Sequence, residues 1–461
     1  MEEVGTSMSW IDADRSRNAP TLGRDERRSS RGFRQSSTRV SYYVVGYVAL
    51  WILEGAVRKW VPGTQGLLYV LRDVYLIAIL FRFSYTRVLT RSQLLKMVIV
   101  CCPVVFFALM QYAVLNLSTQ VLLIGLRSYL SPCLAILLIG YVSSLQTIRV
   151  VARSILFFVP VQLILMLVQV MSSPSASVNR EVVSDAASFV NGDVVRPSGT
   201  FSSPMGLTLY ISLVAACIFV TKMGRVSQLL STLCVVLMVL LSGSRGAVLS
   251  TSLIYGACLW WSVCSSSSSR RWSWTQQFLT GSAVLILFAK LMPSVTGSFE
   301  ERFVTASQSE DSLGRIVHQT LGFLNNAASP LGAGIVVNSQ AGIAAGSGGE
   351  WVEVDSIKWV SELGWLGLAL AILRLGLGIW IILQILFEAR NRDIGVIALL
   401  SAFGQVVLYG PITQSPTTQG FAGVCGGLLF CLWRLERTGP RYELKRSTSH
   451  LSLPKSASGS L

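Results

Sequence analysis

The chain is a succession of apolar runs, many of them close to the roughly 20 residues that a helix needs to cross a hydrocarbon core, with short polar segments between. Twelve such runs can be placed, near residues 40–57, 66–81, 97–115, 119–142, 154–171, 204–221, 227–241, 247–263, 275–292, 365–387, 394–410 and 420–433. A mean hydropathy of +0.57 and a charged fraction of 13% fit that pattern and exclude an ordinary soluble globule. The sequence therefore predicts an all-α, polytopic membrane protein of about 12 transmembrane helices, with no room for a large soluble domain. The membrane domain spans residues 40–435, between polar tails at 1–39 and 436–461 that are predicted to be disordered.

The net charge of +15 over 461 residues does not indicate nucleic-acid binding, because the basic residues sit in the tails and in short loops between apolar runs. Their placement reads instead as topology. The loops with Arg82/Arg87/Arg91, Arg149/Arg153, Lys222/Arg225, Arg270/Arg271 and Arg390/Arg392 fall on one side together with both tails, whereas those near 116–118 and 411–419 hold no Lys or Arg. Positive charge marks the cytoplasmic side, so both termini are predicted there. Two long polar loops, 172–203 and 294–355, then face outward, as do the short segments 54–64 and 242–246. The nine cysteines form no C-x-x-C or Cys/His cluster, so they read as small packing residues and no metal site is expected.

Eight basic residues lie on the outer side against this trend: Arg58, Lys59, Arg180, Arg196, Arg245, Arg302, Arg315 and Lys358. Arg180 and Arg302 read as solvated loop charges. Arg245 stands in Ser242-Gly243-Ser244-Arg245-Gly246-Ala247 between two apolar runs, where an arginine near hydrocarbon is costly. Arg196 opens Arg196-Pro197-Ser198-Gly199-Thr200-Phe201-Ser202-Ser203-Pro204. There Ser202 or Ser203 is placed to cap a helix with Pro204 at its first position, leaving free N–H groups suited to phosphate. The second long loop holds Gly314-Arg315, an apolar-periodic segment through Leu324 that carries a lone His318, then Pro330-Leu331-Gly332-Ala333-Gly334 and Glu353-Val354-Asp355-Ser356. From Ile357 to Leu368 the pattern predicts a helix entering the membrane. Elsewhere, Glu54 to Trp60 reads as a loop ending in Pro62-Gly63, and Arg72 with Asp73 as a mutually neutralising pair in the second run.

The stretches Arg196–Phe201 with Pro204, Ser242–Ala247, Gly314-Arg315, Pro330–Gly334, and Asp355-Ser356 followed by Glu362-Leu363-Gly364-Trp365-Leu366-Gly367 occur in one order over roughly residues 190–370. In that order and placement the chain resembles the O-antigen ligase and O-antigen polymerase superfamily of bacterial inner-membrane glycan transferases. Glu54-Gly55-Ala56-Val57-Arg58-Lys59-Trp60, with Arg72-Asp73, is similar to a feature of some polymerase-like members. The resemblance implies an inverting, metal- and cofactor-independent glycosyl transfer on the outer side of the inner membrane. Its donor would be an oligosaccharide on undecaprenyl diphosphate, and Arg196, Arg245 and Arg315 would hold the diphosphate. A chain-length regulator or a flippase is the protein partner it suggests.

Where ligases carry a His-Asn pair before the Glu-Leu-Gly segment, this chain has Glu353-Val354. That difference favours a polymerase or another ligase-like member and makes Glu353 and Asp355 the candidate catalytic bases; Glu362 reads as structural. Two alternatives stay open: a ligase that moves finished glycan to lipid or protein, and a twelve-span transporter. A transporter often has repeated halves, and residues 40–220 and 225–435 show no clear similarity.

Overall fold

A computed structural model describes residues 24–61, 63–182, 190–191, 194–264, 290, 297 and 312–449. The described chain is helical apart from short connections and a two-residue antiparallel ladder, Val190–Asn191 with Val194–Val195. In chain order the helices are α1 (Arg24–Trp60), α2 (Gln65–Tyr85), α3 (Arg91–Leu115), α4 (Thr119–Val142), α5 (Leu145–Phe157), α6 (Val159–Met171) and α7 (Pro204–Val220). They continue with α8 (Arg225–Ser242), α9 (Arg245–Cys264), α10 (Ser312–Leu321), α11 (Gln340–Ala344), α12 (Asp355–Phe387), α13 (Ile394–Leu408) and α14 (Pro416–Ser449). Every predicted apolar run but the ninth coincides with a helix. That run, apart from Lys290, lies outside the described residues, as do Arg270, Arg271 and Arg302.

Among the described residues, seven stretches are long and apolar enough to cross a membrane: Thr38–Trp60, Arg91–Leu115, Thr119–Val142, Leu145–Met171, Arg225–Ser242, Arg245–Cys264 and Asp355–Phe387. The chain is thus an all-helical protein with several membrane-spanning segments. Helix α7 is apolar on every side and buried along nearly its whole length, as expected of a central element. Around it pack α5, α8, α9, α13 and α14, while α14 also runs closely against α4.

Two local expectations are corrected, and the setting of a third is sharpened. Residues Glu54 to Trp60 are the last turns of α1 rather than a loop, joined by a Glu54–Arg58 pair one turn apart at 3.4 Å. The helix stops just before Pro62-Gly63, where proline cannot continue it. The fifth run begins earlier than predicted, at Leu145, and breaks at Phe158 ahead of Pro160. The Arg72–Asp73 ion pair is present at 4.0 Å, but Asp73 has closer partners in Arg127 and, at 2.6 Å, Ser131. Adjacent positions on a helix point in different directions, so the partner comes from another helix. Helix α1 begins at Arg24 and α14 reaches Ser449, so each extends past the bounds drawn for the membrane domain.

The end of α1, the stretch Arg196–Pro204, the α8–α9 turn, the segment before α12 and the α13–α14 turn lie at one end of the bundle. Hydrogen bonds knit that end together. Lys59 reaches Ser198, Trp51 reaches the Thr417 carbonyl, and Gln414 reaches the Val352 carbonyl.

Candidate functional site

The Arg196 loop lies in a bed of buried polar side chains. The Lys59 ammonium, only 2% exposed, donates to the Ser198 hydroxyl at 3.0 Å and the Gly199 carbonyl at 2.6 Å. On α6, Gln169 accepts from the Gly199 N–H at 2.8 Å and Gln162 from the Thr200 N–H at 3.1 Å. The Thr200 hydroxyl donates to the Ile52 carbonyl at 2.7 Å. A Cβ on Gly55 would lie 2.5 Å from both Ser202 N and Thr200 O, so only glycine lets α1 approach the loop this closely. Phe201 fills the space between Trp51 and Tyr210. Pro204 then starts α7 as predicted, but Ser203 at the cap position makes no side-chain capping bond.

The Arg245 stretch is a two-residue turn between helices. Gly243 ends α8 with φ +54, a left-handed cap that favours glycine. Ser244 starts α9, its hydroxyl accepting from the Ala247 N–H at 3.4 Å. Arg245 is therefore the first residue of α9, with no acidic residue in that first turn. Cations are disfavoured there, because the helix N-terminus already carries partial positive charge. Helices α7 and α9 start side by side, tied by Thr208 to Ser244 at 3.3 Å and by Ser212 to Ser250 at 2.8 Å. Arg196 is half-buried, and its Nε is buried without a hydrogen bond. Burial, with the charge of Arg245 adding to it, pulls the Arg196 guanidinium below the usual arginine value. Two helix N-termini thus lie side by side, with Arg245 on one of them and Arg196 near enough for the two charges to interact, a setting suited to an anion.

The Gly-rich stretch and the Glu-Leu-Gly stretch form a single unit. Helix α12 breaks at Gly364, whose φ of 53 and ψ of −126 are non-helical. Pro330–Gly334 plugs the break: Ala333 N–H donates to the Ser361 carbonyl at 2.8 Å and Gly334 N–H to the Glu362 carbonyl at 3.2 Å. Gln111 adds a bond to the same Glu362 carbonyl at 2.7 Å. Glu362 itself is fully buried and accepts from Tyr129 at 2.7 Å and Asn338 N–H at 2.9 Å. Its structural assignment fits this setting, in the interior rather than at a bundle edge. An open cleft of about 390 Å³ borders this unit, lined by Asn326, Ala327, Ser329, Gly332, Ala333, Val360 and Ser361; none of the arginines considered above contributes to it.

Arg315 and Glu353, given separate roles by the sequence, meet each other at 2.8 Å as an exposed ion pair, 45% and 55% accessible. Asp355 has a different setting. It is 3% exposed and accepts from the Ile412 and Thr413 N–H groups and the Thr413 hydroxyl, with Arg374 at 4.0 Å. Lys358, another outward cation, is buried against Thr413 at 3.3 Å and near the Tyr129 ring. The structure therefore pairs Arg315 with Glu353, leaves Arg196 within electrostatic reach of Arg245, and seats Asp355 beneath the α13–α14 turn. Sequence reasoning passed over that turn as uncharged, yet Thr413, Gln414 and Thr417 join α12, α1 and the Arg196 loop there. It also missed Gln162 and Gln169, whose spacing of two turns within an apolar run places them on one face. No protein-family model matches the chain, and a search of curated proteins finds no match.

Proposed function

We propose that this chain is a glycosyltransferase of the bacterial inner membrane that polymerises polyprenyl-diphosphate-linked glycan on the outer side, across twelve spans with both termini cytoplasmic. The observation that carries the reading is Arg245 at the first position of α9 with Arg196 beside it. A cation at the first position of α9 with a second cation near it is suited to holding a multiply charged anion, and a diphosphate offers two groups for bidentate guanidinium contacts. In the proposed reaction an acceptor hydroxyl attacks the anomeric carbon and the bond to the diphosphate breaks with inversion. The departing diphosphate keeps the electron pair, held by the arginines, and the hydroxyl proton passes to a carboxylate. Glu353 suits that role better than Asp355, because it is exposed and its one described partner, Arg315, is exchangeable, whereas the Asp355 carboxylate is occupied by N–H and O–H donors. Arg315 would then join the diphosphate grip as Glu353 is released.

A ligase would use the same grip with a different acceptor. The break at Gly364 is the one feature that favours a transporter, since interrupted helices often expose carbonyls to a bound ion. Here the freed Ser361 and Glu362 carbonyls are already taken by Ala333, Gly334 and Gln111, which favours the enzyme. Deleting the chain in its host and resolving the surface polysaccharide on a gel distinguishes the readings. Polymerase activity predicts loss of the length ladder with single-repeat products left. Accumulated lipid-linked polymer means ligase, and unchanged glycan removes both.

A further inference from the structure

A second basic cluster lies at the same end of the bundle, across the Pro416–Thr417 turn from the Arg196 loop. Arg72, 1% exposed, donates to the Pro416 carbonyl, while Thr417 next to it meets Ser202 at 3.4 Å on the other side. A Cβ on Gly420 would lie 2.7 Å from Arg72 Nη1, so glycine there makes room for the guanidinium. Arg58 and Arg127 both stack on Tyr69, with their guanidinium carbons 5.4 and 3.8 Å from the ring centre. The carboxylates within the cluster are Glu54, 3.4 Å from Arg58 and 3.5 Å from Arg72, and Asp73, bonded to Arg127.

Among the described residues, three guanidiniums against two carboxylates leave one positive charge in excess, in surroundings where an uncompensated charge is costly. The donors are also under-used. Arg58 Nε, Arg72 Nε, Arg72 Nη2, Arg127 Nη1 and the Tyr47 hydroxyl are buried without a hydrogen bond. Buried polar groups are nearly always satisfied, so a group of unmet donors around excess positive charge calls for an acceptor that is itself negative. Arg58 and Arg127, at 13% and 10% exposure, form the more open side of the cluster.

We infer that Arg58, Arg72 and Arg127 frame a second anion subsite, separate from the Arg196–Arg245 pair, that takes a single phosphate or carboxylate group. This assignment does not depend on the glycan-transfer reading. The test uses the full chain, purified in detergent, with both Arg196→Ala and Arg245→Ala so that the first site is silent. Inorganic phosphate and glucuronate are the probes, followed by calorimetry. The subsite predicts that at least one of them binds saturably to this double variant, and that adding Arg58→Gln weakens its binding tenfold or more. Arg58 is chosen because its only described ion pair is with Glu54 on its own helix, and Arg58→Lys serves as a folded control that keeps the charge. Absence of saturable binding by both probes, or binding unaffected by Arg58→Gln, overturns the proposal and leaves water as the occupant. Repeating the titration in nanodiscs with and without phosphatidylglycerol assigns the source: competition marks a lipid headgroup, and its absence a soluble or glycan-borne group.

Discussion

Gly364→Ala separates a built break in α12 from an incidental bend. Gly364 holds φ 53 and ψ −126, a region that residues with a Cβ adopt at a cost of about 1–3 kcal/mol. The added Cβ would lie 2.1 Å from the Ser329 carbonyl oxygen and 2.6 Å from Gly332 N. Both are backbone atoms that cannot rotate away, and overpacking of this kind costs a further 1–3 kcal/mol or so. The expected loss is therefore about 2–6 kcal/mol. A matched control lies on the same helix: a Cβ on Gly376 meets nothing within 4 Å. Gly376→Ala should be neutral or stabilise by up to about 1 kcal/mol, as alanine does in a helix. Tryptophan fluorescence during thermal unfolding in detergent reads both, because Trp359 and Trp365 flank the break. If Gly364→Ala unfolds within a degree or so of Gly376→Ala, the loop-plugged break is not a stabilised feature and the reasoning fails.

Other outcomes follow from the same contacts. Asp355→Ala strands the Ile412 and Thr413 N–H groups and should cost about 3 kcal/mol or more, as removing one side of a buried charged network does. Glu353→Gln breaks an exposed pair worth about 1 kcal/mol or less, so it should leave the melting temperature almost unchanged while abolishing transfer; retained transfer would remove Glu353 as base. A reporter fused after Leu117 should be active only on the outer side, and one fused after Met223 only in the cytoplasm; any other pattern reverses or breaks the proposed topology.

Most helices were legible in the sequence because apolar run length in a membrane protein is itself a structural quantity. The fourth run, placed at about 119–142, is α4, Thr119–Val142. What was not legible came from pairing between distant segments. The Glu-Leu-Gly stretch reads as continuous helix, since nothing near it announces that Pro330–Gly334 will enter the gap. Asp73 looked partnered by its neighbour, yet Arg127 lies 54 positions away. Asp355 looked as available as Glu353 two residues earlier; burial under Ile412 and Thr413 distinguishes them, and a helix start on the far side of a span supplies that burial. Of the described cations that the loop charges set apart, Arg58, Lys59 and Lys358 are tied into the scaffold, Arg315 is in a surface pair, Arg180 is half-buried, and Arg196 lies within electrostatic reach of Arg245.

The central claim is that Arg196 and Arg245 grip a diphosphate during glycan transfer. Its most direct measurement is glycan transfer by the purified full chain in nanodiscs, with a polyprenyl-diphosphate-linked oligosaccharide as the only glycan substrate and mass spectrometry of the products. Longer lipid-linked glycan together with released polyprenyl diphosphate is predicted for the unaltered chain. Arg196→Ala and Arg245→Ala should each abolish both products, and Arg245→Lys should fail as well, because lysine cannot make the bidentate contact. Undiminished elongation by the two alanine variants, with protein levels and unfolding temperature unchanged, would contradict the account.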